Sequence, residues 1–218
     1  MGPHEGQPVL EAGAPLGRGA AVVILAHGRN ATPANIIDLA RRWDRPALTY
    51  LAPAAANRTW YPHSFMADLG SNEPGVSSAI AVVAALVARA TSAGIDRSRI
   101  VLCGFSQGAC LMSEFAIRHA AHYGGLLIFS GGAIGAPGTT WDYPGQFDGT
   151  PAFFGCSDRD AHVPESRVRE TADVFTRMGA DVTLRIYPGM DHLVNDDEIV
   201  FAQHLLDRVG VSGADASA

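Results

Sequence analysis

The chain has 218 residues, 47% apolar and 17% charged, which suits one folded α/β domain over residues 1–218 rather than a disordered chain. A formal net charge of −6 without a basic stripe argues against nucleic acid or an anionic membrane as partner. All 16 basic residues are arginine, which excludes a Schiff-base lysine, a P-loop lysine and a Ser–Lys dyad.

In chain order, the N-terminal stretch has no basic start followed by an apolar run, so no secretory signal is read there. The expected location is the cytoplasm. Residues 1–6 and 211–218 are expected to be flexible. Ala21–Ala26, Ala47–Leu51, Ile100–Cys103, Leu126–Ser130, Ala152–Phe154 and Val182–Tyr187 read as short strands. Most are apolar throughout, as strands covered on both faces are. Between them, helices are expected over Gly75–Ala93, Gln107–Ala120, Pro164–Met178 and Asp196–Val209. Pro164 reads as a first helical residue and Gly179 as a stop. Asn195 and Glu198 read as a capping pair for the last helix, with Gly210 beyond its end. The apolar run Gly75–Ala88 falls short of the roughly 20 residues of a membrane span. Cys103, Cys110 and Cys156 have neither disulfide nor zinc spacing and read as small buried residues.

Strands alternating with helices imply a mostly parallel sheet with helices on both faces and ligands at the carboxyl ends of the strands. Four strand ends carry chemistry. The first is Ala26-His27-Gly28-Arg29-Asn30, where the backbone N–H of Arg29 is the candidate for one oxyanion donor. The second is Gly104-Phe105-Ser106-Gln107-Gly108, a G-x-S-x-G turn between a strand and a helix. Such a sharp turn projects the serine hydroxyl above the sheet, and the N–H of Gln107 is the other donor. The third, Gly155 to Pro164, offers Asp158 and Asp160 as acids, which spacing alone does not separate. The fourth is Tyr187-Pro188-Gly189-Met190-Asp191-His192, where His192 is better placed than its rival His162. The order Ser106, acid, His192 is that of the α/β-hydrolase fold.

With these residues in view, the chain resembles the phospholipase/carboxylesterase family, which includes acyl-protein thioesterases and small bacterial carboxylesterases. The resemblance runs from about Pro8 to Val209. It is most specific at Arg99–Ala109, and continues at Asp160-Ala161-His162-Val163-Pro164 and Tyr187–His192. It implies an α/β-hydrolase, and Asp160 rather than Asp158 as the acid. Ala52-Pro53, Trp60-Tyr61-Pro62 and Phe65 resemble a loop lining the acyl site. The Arg29-Asn30-Ala31-Thr32 stretch departs from the Gly-rich loop of the thioesterases.

The expected activity is hydrolysis of small esters by Ser106, Asp160 and His192, with no cofactor and no metal. Trp60, Tyr61, Phe65 and Trp141 are the expected substrate contacts, drawn from loops at 53–73 and 131–149 that also hold Met66, Ile134, Tyr143 and Phe147. Every gap is too short for a cap, so an open, shallow site is expected. Acyl-thioesterase or lysophospholipase activity is the alternative. A non-catalytic receptor, or a lyase or perhydrolase on the same residues, belongs to other classes. Monomer and homodimer both remain open.

Overall fold

The computed structural model describes residues 2–211. The expected fraying of 211–218 lies outside the described residues, except that the backbone of Val211 closes the last helix. The strands are β1 (Val9–Gly13), β2 (Val22–Ala26), β3 (Thr49–Pro53), β4 (Ile100–Phe105), β5 (Gly125–Phe129), β6 (Pro151–Ser157) and β7 (Asp181–Tyr187). They form one sheet in the order β1-β3-β2-β4-β5-β6-β7. Only β1 is antiparallel, pairing Val9 with Pro53 and Gly13 with Thr49 at the edge. The helices are α1 (Pro33–Arg41), α2 (Gly75–Ser92), α3 (Gln107–Arg118), α4 (Glu165–Arg177) and α5 (Asp196–Val211).

Strand side chains alternate between two cores. Along β2, Val22, Ile24 and Ala26 pack with residues of α2, α3 and α4, while Val23 and Leu25 pack with residues of α1 and α5. Both faces are covered, so the strand is an unbroken apolar run. The parallel strands β2, β4, β6 and β7 end on one edge of the sheet, and the loops that follow them meet there.

Several expectations need correction. β1 and α1 are additional elements. β1 is a mixed edge strand whose Leu10 is 41% exposed, so it shows no apolar run. α1 is nine residues long and buries only Ile36, Ile37 and Ala40, too little for a clear helical stripe. Pro164 caps α4 rather than opening it. Residues 2–6 are not loose at His4, whose buried ring donates from Nε2 to Trp60 O (2.8 Å) and accepts the Ala56 N–H at Nδ1 (3.1 Å).

Among the described residues, α2 is the one helix long and apolar enough to cross a membrane by composition. Half of it is buried in the protein, with Val76, Ala79, Val83 and Val87 packed in the core, so its apolar character is that of a core helix. The three cysteines are free and buried, as expected. Burial pushes the Cys110 and Cys156 thiols up to about 12.

Candidate active site

β4 runs into Ser106, whose backbone takes φ 56° and ψ −122°, a region that side-chain-bearing residues rarely occupy. The turn is held from both sides: Ser106 N–H donates to Phe129 O of β5 (2.9 Å), and Ser106 O accepts from Cys110 N–H in α3 (3.0 Å). The two flanking glycines are demanded by close approach. A Cβ on Gly104 would lie 2.4 Å from the Gly108 carbonyl, and one on Gly108 would lie 2.0 Å from Ala26 O of β2. The sequence therefore brings α3 down onto β2 and β4 and lifts Ser106 above the strand end. Its hydroxyl has no hydrogen-bond partner among the described residues.

The acid and the histidine are joined directly. Asp160 Oδ2 lies 2.6 Å from His192 Nδ1, and its Oδ1 accepts the backbone N–H groups of His162 (2.8 Å) and Val163 (2.9 Å). Burial alone would raise the Asp160 carboxyl, but the hydrogen bond from His192 and the two backbone bonds outweigh it and hold it at about 2. An ionised carboxylate only accepts, so the proton sits on His192 Nδ1 and leaves Nε2 as the basic nitrogen. The imidazole packs against the rings of Phe105 (centroids 4.9 Å apart) and His162 (4.8 Å). Asp158 has another task. It is exposed, and its Oδ1 accepts Gly189 N–H (2.7 Å), which ties down the turn before His192. His162 lines the site, but among the described residues no acid bonds to its ring.

Arg29, in the loop after β2, and Gln107, the first residue of α3, line the same cleft as Ser106. The Gln107 N–H has no intrahelical acceptor at that position, and neither N–H has a partner among the described residues. Both side chains do something the sequence did not disclose. The Arg29 guanidinium donates to Thr59 Oγ1 and to the carbonyls of Tyr61, Pro62 and His63 at 2.7–3.0 Å. Gln107 Oε1 accepts Trp60 N–H (3.0 Å) while its Nε2 donates to Tyr61 O (2.8 Å). Together they clamp residues 59–63 into the wall of the cleft that holds the serine. Buried His27 braces the base of this loop: Nε2 accepts Ala55 N–H (3.2 Å), which leaves the Nδ1 proton for Gly28 O (2.8 Å). Burial lowers the His27 pKa, so the ring stays neutral in this role.

These residues enclose a cleft of about 580 Å³ lined by Arg29, Ser106, Gln107, His162 and His192. Of the expected substrate contacts, Tyr61 and Phe65 line it. Trp60 and Trp141 do not. Trp60 is fully buried, donating its indole N–H to His27 O (2.8 Å) between the rings of His4 and His27. Trp141 donates to Ile134 O (3.3 Å) and packs on the buried Arg167 guanidinium (5.1 Å), behind the wall. Arg167 also donates to Ala133 O (2.9 Å) and Gly135 O (2.7 Å), so the 131–149 loop backs the cleft rather than lining it. His63, Ser64 and Cys110 line the cleft without a sequence signal, because each arrives there only through loop closure or helix packing.

The profile of the phospholipase/carboxylesterase family matches residues 10–209. Acyl-protein thioesterase 1 of Emericella nidulans is 27% identical over 215 residues, covering 87% of this chain and 90% of that protein. Acyl-protein thioesterase 1 of Eremothecium gossypii is 30% identical over 168 residues, covering 72% and 68%. A crystal structure of a phospholipase/carboxylesterase from Dyadobacter fermentans superposes with a TM-score of 0.88 at 38% identity, covering 94% of this chain and 98% of that one. With an α/β-hydrolase sheet carrying a strained serine turn beside a joined acid and histidine, the chain belongs to the phospholipase/carboxylesterase family and is a serine hydrolase of carboxylic esters.

Proposed function

We propose that the protein is a carboxylesterase that cleaves small esters of short to medium acyl chain through an acyl-enzyme on Ser106. The carrying observation is the Asp160–His192 hydrogen bond on the same cleft as the raised Ser106. His192 Nε2 takes the Ser106 proton as Oγ attacks the ester carbonyl, and Asp160 holds the tautomer and stabilises the imidazolium. The tetrahedral oxyanion is met by the Arg29 and Gln107 N–H groups, each such donor being worth roughly 3–4 kcal/mol. The C–O bond then breaks, His192 hands its proton to the leaving oxygen, and water releases the acyl group by the same route. Serine and histidine close to bonding distance when substrate fills the cleft, a tightening common to catalytic pairs.

Acyl-thioester hydrolysis by the same residues is the second reading, favoured by the names of the curated relatives. The test is a series of p-nitrophenyl esters and matched thioesters on wild type and Ser106→Ala. The expected result is fastest turnover near butyrate, with kcat lowered at least about 10⁴-fold in the variant. Faster turnover of long-chain esters overturns the chain-length assignment, preference for thioesters selects the second reading, and an active Ser106→Ala enzyme removes the nucleophile.

A further inference from the structure

A second groove, of about 410 Å³, adjoins the cleft at His192. Gly28, Ala31, Phe105 and His192 line both, so the two spaces meet across one ridge. The outer wall of the groove is apolar: Ile36 and Leu39 of α1 face Leu193 and Val194, the residues directly after His192. Leu193 is 43% exposed, one of the few large apolar side chains that the fold leaves in water. The one charged group on the rim, Arg42, is already engaged by Asp196 (2.6 Å) and Val194 O (3.2 Å). The Asn35 Oδ1 is occupied in capping α1, accepting from the Thr32 N–H (3.0 Å). The groove therefore offers an apolar trough with no charge left to satisfy.

Its place beside the reacting atoms decides what it holds. In the proposed esterase reaction the Arg29 and Gln107 backbone N–H groups receive the carbonyl oxygen, and the side chains of the same two residues hold the 59–63 loop, which puts the Tyr61–Phe65 arm on the oxyanion side. The leaving oxygen must lie next to His192, which returns the proton to it. Across the Phe105–His192 ridge from there is the groove. Resting on the esterase reading above, we propose that this α1–Leu193 groove is the leaving-group subsite and takes the uncharged alkyl or aryl part of the alcohol. The acyl part occupies the Tyr61–Phe65 arm. Nothing covalent changes: Ser106 Oγ bonds to the acyl carbon, the ester C–O bond breaks, and the alcohol leaves along the groove with the proton from His192.

The experiment compares methyl, butyl and hexyl butyrate, which share one acyl group, on wild type, Leu193→Asp and Leu39→Asp. On wild type, kcat/KM rises with alcohol length, by up to about fourfold per methylene buried. The readout is the hexyl-to-methyl ratio within each enzyme, which partial misfolding leaves untouched because it lowers both esters alike. The ratio falls at least tenfold in either variant on this proposal. A wild-type ratio near one, or a ratio that both variants retain, overturns the subsite while leaving the esterase reading standing. Absence of Ser106-dependent hydrolysis of every ester overturns that reading and the subsite with it.

Discussion

Ser106 holds a backbone conformation that costs on the order of 1–3 kcal/mol, and the hydrogen bonds to Phe129 and Cys110 keep it there. Strain of this kind persists only where neighbours over-determine it, and the reward is an exposed hydroxyl at a helix N-terminus. Arg29 acts at the same scale. Its planar fork reaches three carbonyls and a hydroxyl at once, which a lysine cannot match with one ammonium. Arg29→Lys is expected to raise KM more than it lowers kcat and to cost about 1–3 kcal/mol of stability through unpaired loop carbonyls. Kinetics with p-nitrophenyl butyrate and urea unfolding check this; an unchanged KM would show that the clamp on 59–63 is dispensable. The acids illustrate how alike two residues look in sequence. Asp158 and Asp160 are two apart, yet one ties a turn and the other meets His192, 32 residues away.

At the scale of elements, the approach of α3 to β2 sets the site. Gly108→Ala would drive a Cβ into the backbone of Ala26 and His27 at 2.0–2.7 Å, atoms that cannot swing aside. The expected cost exceeds about 4 kcal/mol. Gly94→Ala is the control: its Cβ meets nothing within 4 Å, and the left-handed φ of 84° leaves a penalty of only about 1–2 kcal/mol. Thermal unfolding of the pair separates contact from conformation, and equal losses would refute the packing argument. The motif Gly104–Gly108 was legible because it is local. The loops were not: the aromatic residues of 53–73 and 131–149 look equivalent in sequence, but Tyr61 and Phe65 line the cleft while Trp60 and Trp141 are core.

For the whole molecule, stability depends on buried ionisable groups with opposing signs. Glu198 closes the capping box of α5, its Oε2 accepting Asn195 N–H (2.8 Å) and its own N–H donating to Asn195 Oδ1 (3.0 Å). Its Oε1 is buried without a partner among the described residues. Burial, with Asp197 nearby, raises its carboxyl from 4.5 to about 7 against the Asn195 bond. Between these values the folded protein holds a proton that the unfolded chain has lost, so stability falls as pH rises through the window. The full cost above it is roughly 3 kcal/mol. Glu198→Gln keeps the capping oxygen and is expected to abolish that decline, measured as unfolding free energy at pH 4.5 and pH 8. An undiminished decline in the variant would place its source elsewhere. Burial lowers the pKa of His4 and of His27, so their share runs the other way: it is present above 6.5 and lost on acidification.

The rhythm of parallel strands and helices, the capping of α5 by Asn195 and Glu198, and the serine turn were all legible in the order of the amino acids. Each of these follows from side-chain period or backbone sterics within a few neighbouring residues. It takes the three-dimensional packing to join Asp160 to His192, to set the Arg29 and Gln107 side chains on the 59–63 loop, and to pair β1 with β3 at the sheet edge. The apolar groove between α1 and Leu193 was settled there too. These are distances between residues far apart in the chain. Hydrogen bonding and burial select among residue types that composition leaves interchangeable, and they act only once the sheet has brought its strand ends to one edge.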